Sequence, residues 1–212
     1  MTVYTVNRAF TTSVERTPRV LEIAESFGLG LSDKRFVVYD GLKIEVRQGD
    51  VVYITGQSGS GKSLLLKDLT AQMSDGGLKV ADLNGIRLDE KPVIELVGRS
   101  TYEATDLLAK AGISDAWIYI RKPSELSDGQ RYRLKMAILM QTGADVWIAD
   151  EFGAVLDRVT AKVLAFNTAK VARRMGKTLM VATTHTDLRE ELGPNLTITK
   201  MFREKVTVET KE

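Results

Sequence analysis

Residues 56–63 read Gly-Gln-Ser-Gly-Ser-Gly-Lys-Ser, directly behind a short apolar run, Val51 to Thr55. A G-x-x-x-x-G-K-[ST] octad between a buried-type strand and an apolar helix admits few local geometries. The glycines let the backbone curl until successive N–H groups converge on phosphate oxygens. A helix starting near Lys62 adds the positive end of its dipole. Lys62 brings a mobile positive charge for the outer phosphates, and Ser63 a hydroxyl for Mg²⁺. The expected nucleotide cradle is therefore Gly56, Gln57, Ser58, Gly59, Ser60, Gly61, Lys62 and Ser63. A Gly/Ser linker would match the four fixed positions by chance in about 1 chain in 100 of this length. The strand ahead of the loop, and Leu65, Leu66, Leu69 and Met73 behind it, argue against that reading.

A second signal lies downstream. Val146 to Ala149 is an apolar strand ending in Asp150-Glu151. Acids at the C-terminal end of a strand sit where α/β sheets place ligands. Alone, the pair is as readily a solvated turn. Behind a phosphate loop, Asp150 is the expected Mg²⁺ partner through its water shell, and Glu151 the group that orients or deprotonates the attacking water.

Composition narrows the chemistry. The chain of 212 residues has no cysteine and one histidine, His185. Disulfides, thiolate metal sites and cysteine nucleophiles are excluded, and a histidine-rich metal site with them. The formal net charge is +2, so no strongly basic nucleic-acid coat is encoded. Two local clusters stand out, Arg131, Arg133 and Lys135 on one expected helix and Lys170, Arg173 and Arg174 on another; such clusters are usually solvated faces. No apolar run approaches membrane-spanning length, and Met1 to Phe10 lacks a signal-peptide pattern, so a soluble cytoplasmic protein is expected.

Strand-like and helix-like stretches alternate. Residues 2–10 read as an edge strand. A short helix follows Pro18, with Val20, Ile23, Ala24 and Phe27 at helical spacing and Gly28 closing it. Residues 36–38 and 42–46 read as strands joined by an Asp40-Gly41 turn. Further strands are expected at 51–55, 79–83, 146–149 and 178–183, with a terminal hairpin over 196–200 and 206–208. Helices are expected near 62–73, 104–111, 129–142 and 159–175. The pattern is α/β with a mainly parallel sheet flanked by helices on both faces. A single domain over 1–212 is expected, with a helical subdomain near 92–140 and an N-terminal extension over 1–35.

Leu126-Ser127-Asp128-Gly129-Gln130, at the start of an expected helix, resembles the LSGGQ signature of ATP-binding-cassette ATPases. Ala154-Val155-Leu156-Asp157 resembles that family's D-loop, and Thr183-Thr184-His185 its switch-histidine loop. With the phosphate loop and the acid pair, the motifs keep the family's order over residues 36–190. The resemblance implies a P-loop ATPase fold with an antiparallel β element and a small helical subdomain. It also implies ATP and Mg²⁺ as ligands and a head-to-tail homodimer. ATP would lie between residues 56–63 of one subunit and 126–130 of the other. Ser127, Asp128, Gly129 and Gln130 thereby join the binding residues, with Ser127 and Gly129 reaching the γ-phosphate across the interface. His185 would contact the γ-phosphate within its own subunit and join Glu151 and Lys62 in hydrolysis. Asp157 would act at the dimer interface.

Three departures stand beside the resemblance. Asp128 replaces a glycine, and its carboxylate must turn away from phosphate to avoid repulsion. No glutamine lies between Gln72 and Gln130, so the family's Q-loop glutamine is missing and Asp89-Glu90-Lys91 is the expected stand-in region. The D-loop serine is Ala154. For the adenine-stacking aromatic the candidates are Phe27, Phe36 and Tyr39, with Phe27 expected in the core. The stretches ELSDGQRYR, DEFGAVLDR and ATTHTDL are similar to a branch of small ABC-type ATPases found alone or fused to a predicted acetyltransferase domain. That likeness implies a stand-alone ATPase with an acetyltransferase-like partner enzyme; the 212 residues are expected to be taken up by the ATPase core. The alternative readings are the motor subunit of a membrane transporter, a nucleic-acid-associated ATPase, and a slow nucleotide-dependent switch.

Overall fold

Two long strands and a capped helix occupy the start of the chain. β1 (Thr2–Thr12) and β2 (Lys34–Val46) form a two-stranded sheet, with α1 (Pro18–Ser26) between them in sequence. The turn expected at Asp40-Gly41 does not form, and β2 runs through it. Gly41 adopts φ 57°, and its N–H donates to Asn7 Oδ1 at 2.6 Å. A side-chain acceptor and a glycine's freedom together carry the strand past a dipeptide that favours a turn in isolation.

α1 begins as its sequence suggests, with Thr17 accepting the Val20 N–H and Pro18 in the first turn. Its apolar stripe is largely open to solvent, however. Ala24 is its one buried residue, and Phe27, expected in the core, is 71% exposed. Helical spacing reveals a stripe but not what covers it.

The computed structural model describes residues 1–202 and 205–211. They divide into two compact units, residues 5–44 and residues 1–4 with 45–212. In the larger unit the helices are α2 (Lys62–Asp75), α3 (Val93–Leu96), α4 (Thr101–Lys110), α5 (Ala116–Tyr119), α6 (Asp128–Gln141), α7 (Arg158–Arg174) and α8 (Arg189–Leu192). Its strands are β3 (Val51–Thr55), β4 (Val80–Asp82), β5 (Val146–Ala149), β6 (Thr178–Thr183), β7 (Leu196–Thr199) and β8 (Thr207–Thr210). They form one sheet in the order β4-β5-β6-β3-β7-β8, parallel except for β8, which pairs antiparallel with β7.

Register sets the position of the ligand-bearing loops. Thr55 pairs with Thr183 and Ala149 with Val181, so β3, β5 and β6 end along one edge. The segments after these strands, namely the 56–63 loop, Asp150-Glu151 and Thr184-His185, emerge side by side. β3, β5 and β6 are buried at every residue, which is why they read as continuous apolar runs.

Helices α3 to α6 cover residues 93–141. α4 starts on Ser100, which accepts the Glu103 N–H at 3.2 Å, and stops near Gly112 at φ 80°. α4 packs on α6 and α7, and Leu108, Leu134, Ala137 and Leu164 join Trp147 and Phe152 in one apolar core. Leu134 is fully buried there. Leu134→Ala should lower unfolding free energy by about 2–5 kcal/mol, read as an earlier urea midpoint.

The β3–β7 pairing brings Lys200 against the loop. A Cβ on Gly56 would lie 1.8 Å from the Lys200 carbonyl oxygen, whereas a Cβ on Gly59 would meet nothing within 4 Å. Both have positive φ, which costs an alanine about 1–2 kcal/mol. Gly59→Ala should therefore lose about that amount in a urea titration. Gly56→Ala, which must also separate the ends of β3 and β7, should lose more and abolish nucleotide binding.

Candidate active site

The phosphate loop folds as its residue types require. Gly56, Gly59 and Gly61 have φ of 138°, 71° and 105°. Gly61 precedes α2 with no side-chain cap and no acid in the helix's first turn, so that end presents only backbone donors and a positive dipole. Lys62 is buried; its Nζ donates to the carbonyls of Gly56 at 2.9 Å and Gln57 at 2.7 Å. Burial pushes the ammonium below the usual lysine range, while Asp150 and Glu151 pull the other way. The Gln57 side chain faces the chain end, where its Oε1 accepts the Phe202 N–H at 3.1 Å. Ser60 Oγ is buried without a hydrogen-bond partner.

A cleft of 510 Å³ opens at this edge of the sheet. It is lined by Ser58 to Ser63 of the loop except Ser60, by Leu64, Asp150, Glu151 and Ala154, and by Ala182 to Thr184. Lys62, Ser63, Asp150 and Glu151 thus share one cavity. His185 follows the lining residue Thr184 and is half-buried. Its N–H donates to Thr183 Oγ1 at 3.2 Å, and its carbonyl accepts the Tyr53 hydroxyl. Burial first, then the Arg158 charge, holds the imidazole below its ordinary pKa. It is therefore neutral at neutral pH.

Glu151 has φ 53°, the one positive value at a non-glycine among the described residues. That backbone costs about 1–2 kcal/mol and persists only where neighbours over-determine it. The neighbours are plain. Glu151 N–H donates to Asp150 Oδ1 at 3.0 Å and Ala154 N–H to the Glu151 carbonyl at 3.1 Å. Phe152 N–H reaches the Ala182 carbonyl at 3.0 Å, and Thr183 Oγ1 donates to the Phe152 carbonyl at 3.1 Å. Gly153 N–H donates to the Tyr132 hydroxyl at 3.1 Å. Burial raises the Tyr132 phenol pKa, so it is a neutral hydroxyl. Sequence reading did not find Tyr132, because no motif marks a contact across 21 residues.

The signature-like segment lies elsewhere, and none of Ser127, Asp128, Gly129 or Gln130 lines the cleft. Ser127 caps α6 in a reciprocal box: Ser127 N–H donates to Gln130 Oε1 at 2.9 Å and Gln130 N–H to Ser127 Oγ at 3.3 Å. Asp128 pairs with Arg131, Oδ1 to Nη2 at 2.5 Å, which neutralises the carboxylate that departs from the resemblance. A Cβ on Gly129 would stand 3.3 Å from Leu156, so this turn abuts the 154–157 segment. Asp157 caps α7 through the Thr160 N–H at 2.9 Å, and hydrogen bonding from the Thr160 side chain, then from its N–H, holds the carboxyl below the usual range.

Residues 89–91 do not line the cleft; Glu90 instead accepts the Ser124 hydroxyl at 2.7 Å, just before the signature turn. In the basic clusters Arg131, Arg133 and Arg173 spend their guanidinium groups on backbone carbonyls of Leu126, Gly112 and Leu192. Among the aromatic candidates, Tyr39 is buried and Phe36 and Phe27 are exposed.

The donor set suits a magnesium nucleotide. It offers a glycine-lined cradle that tolerates no Cβ at Gly56, a buried ammonium, a helix start, one hydroxyl and a carboxylate pair. Among the described residues no group of three or more acids or histidines could hold a metal unaided. Mg²⁺ commonly takes one or two protein ligands and completes its shell with phosphates and water. Among the described residues no helix is long and apolar enough to cross a membrane.

Comparison with known proteins agrees. Residues 39–91 match the family model described as ABC transporter. The methionine import ATP-binding protein MetN of Francisella tularensis subsp. holarctica is 26% identical, over 76% of this chain and 56% of that protein. The chain thus spans about half the length of that relative. The lipoprotein-releasing system ATP-binding protein LolD of Koribacter versatilis is 28% identical, over 76% of this chain and 86% of its own. Among solved structures, the dimeric bacterial ABC transporter cassette MJ0796 superposes with a TM-score of 0.68 at 16% identity, covering 99% of this chain and 98% of that one. The same cassette has also been solved as a dimer in a post-hydrolysis state bound to ADP and Pi. Motif order, sheet topology and these likenesses make the chain similar to ATP-binding-cassette ATP-binding proteins and give it the fold of that cassette.

Proposed function

We propose that the chain works as a head-to-tail homodimer that closes on two Mg·ATP, hydrolyses them and reopens, so driving or regulating a partner. The observation that carries this reading is the division of the motifs. The loop, the acid pair and Thr184 share one cleft, whereas Ser127 to Gln130 lie outside it. A cap with an anion-attracting helix start, left out of its own cleft, fits the phosphate of a second copy. The 154–157 segment against Gly129 then belongs to the same interface.

Within the cleft the protein's work is positional and electrostatic. The loop amides and Lys62 hold the phosphates. Ser63, and Asp150 through water, would hold Mg²⁺, which supplies charge neutralisation when bound. Glu151 takes or orients the proton of the attacking water, and neutral His185 donates a hydrogen bond toward the γ-phosphate. A cytoplasmic location suits this reading, since ATP is the substrate. The branch resemblance adds an acetyltransferase-type enzyme as a partner to seek by pull-down.

A second reading, the ATP-binding subunit of a membrane transporter, draws on the names of the relatives and on the exposed side chains of Tyr102, Trp117 and Ile120. Co-purification of a membrane protein with the tagged chain, lost on Trp117→Ala, would decide for it.

Glu151→Gln should leave Mg·ATP affinity unchanged and cut turnover by about 10²–10⁴-fold. Near-normal turnover would remove Glu151 from its role. On gel filtration with light scattering, this variant should run as a monomer without nucleotide and as a dimer with Mg·ATP. A monomer with ATP demonstrably bound would defeat the homodimer.

A further inference from the structure

The turn that carries Glu151 is braced from two directions. On one side stands β6, an inner strand of the sheet, which holds Phe152 through the Ala182 carbonyl and the Thr183 hydroxyl. On the other side stands α6, represented by Tyr132. The Tyr132 hydroxyl accepts the Gly153 N–H at 3.1 Å, and its ring meets Phe152 edge-on, with centroids 6.2 Å apart and planes at 79°. Phe152 is fully buried and Gly153 is buried beside it. The helix that carries Tyr132 opens, five residues earlier, with the Ser127–Gln130 box.

We propose that Tyr132 is a positioning residue that holds Glu151 in its working orientation and ties that orientation to the placement of α6. The inference deepens the reading of Glu151 as the group that handles water, and rests on it. The Gly153 amide sits two residues beyond a glutamate in left-handed conformation, and the Glu151 carbonyl closes the turn on Ala154. Without the hydroxyl, a buried N–H loses its acceptor, and the turn relaxes toward commoner backbone angles. Glu151 then shifts, while the phosphate loop, built on β3 and α2, does not. A partner's phosphate seated on Ser127 and Gly129 would fix α6 and, through Tyr132, align the glutamate of the first subunit's own cleft. Hydrolysis would thereby answer to closure.

Steady-state ATPase assays on the full chain test this. Tyr132→Phe keeps the ring and its edge contact and removes only the hydroxyl. It should lower kcat by about tenfold or more while KM and Mg·ATP affinity stay within about twofold. Added to Glu151→Gln it should cause no further loss, since both act through one group. Phe152→Leu keeps the acceptor for Gly153 and loses the ring contact; it should lower the thermal midpoint and leave kcat within about threefold. A kcat for Tyr132→Phe within twofold of the parent overturns the inference. So does the same fold loss in the Glu151→Gln background, which would mark a structural role. Parental turnover by Glu151→Gln overturns the base assignment and this inference together. Loss there beside a parental Tyr132→Phe overturns this inference alone.

Discussion

A strand buried on both faces must find partners for each of its backbone N–H and C=O groups inside the protein. β3 finds them in β6 along one edge and β7 along the other. That pairing determines where the phosphate loop begins, because Gly56 follows Thr55 and faces the Lys200 carbonyl at the end of β7. It also determines where the acids emerge, because β5 aligns on β6 and β6 on β3. The cleft is a consequence of register. A one-residue slip in any of these pairs would turn apolar side chains out of the core and separate Lys62 from Glu151.

The charges at this edge are arranged in opposition. A buried ammonium, a helix start and loop amides face two carboxylates across a cavity. Such a site favours a ligand that brings its own negative charge and its own cation, since each removes an imbalance on one wall. The backbone of Glu151 shows the cost of aiming a carboxylate into that space. Its left-handed geometry is sustained by a glycine two residues on, by two hydrogen bonds from β6 and by one from α6. The Asp128–Arg131 pair solves a related problem at the signature-like turn, where a carboxylate stands at a helix start expected to receive phosphate. Its neighbour Ser127 remains free to cap the helix.

Most of the parallel sheet and the phosphate loop were readable in the residues alone, and the reason is local. An all-apolar strand, a glycine octad and an amphipathic helix each carry their information within about fifteen residues. The failures came where distant groups decide. Asp40-Gly41 has turn chemistry, yet Asn7 meets the Gly41 amide from 34 residues away and the strand continues. Phe27 has core spacing, yet it lies exposed. The contact between Tyr132 and Gly153 spans 21 residues and leaves no trace in either segment's composition.

What the sequence determined by itself was chemical inventory and short-range geometry: a phosphate cradle from Gly56 to Ser63, a strand ending in Asp150-Glu151, a capped helix at Ser127, and no thiol anywhere. What only the tertiary structure decided was grouping. Strand register placed Lys62, Ser63, Asp150, Glu151 and Thr184 around one cavity and left Ser127 to Gln130 outside it. It also set the Tyr132 hydroxyl against the turn that carries Glu151. Backbone propensities and turn chemistry act over a few residues. Which strand ends lie side by side depends on pairing between segments as distant as Val52 and Leu196, and burial of their apolar side chains selects the register.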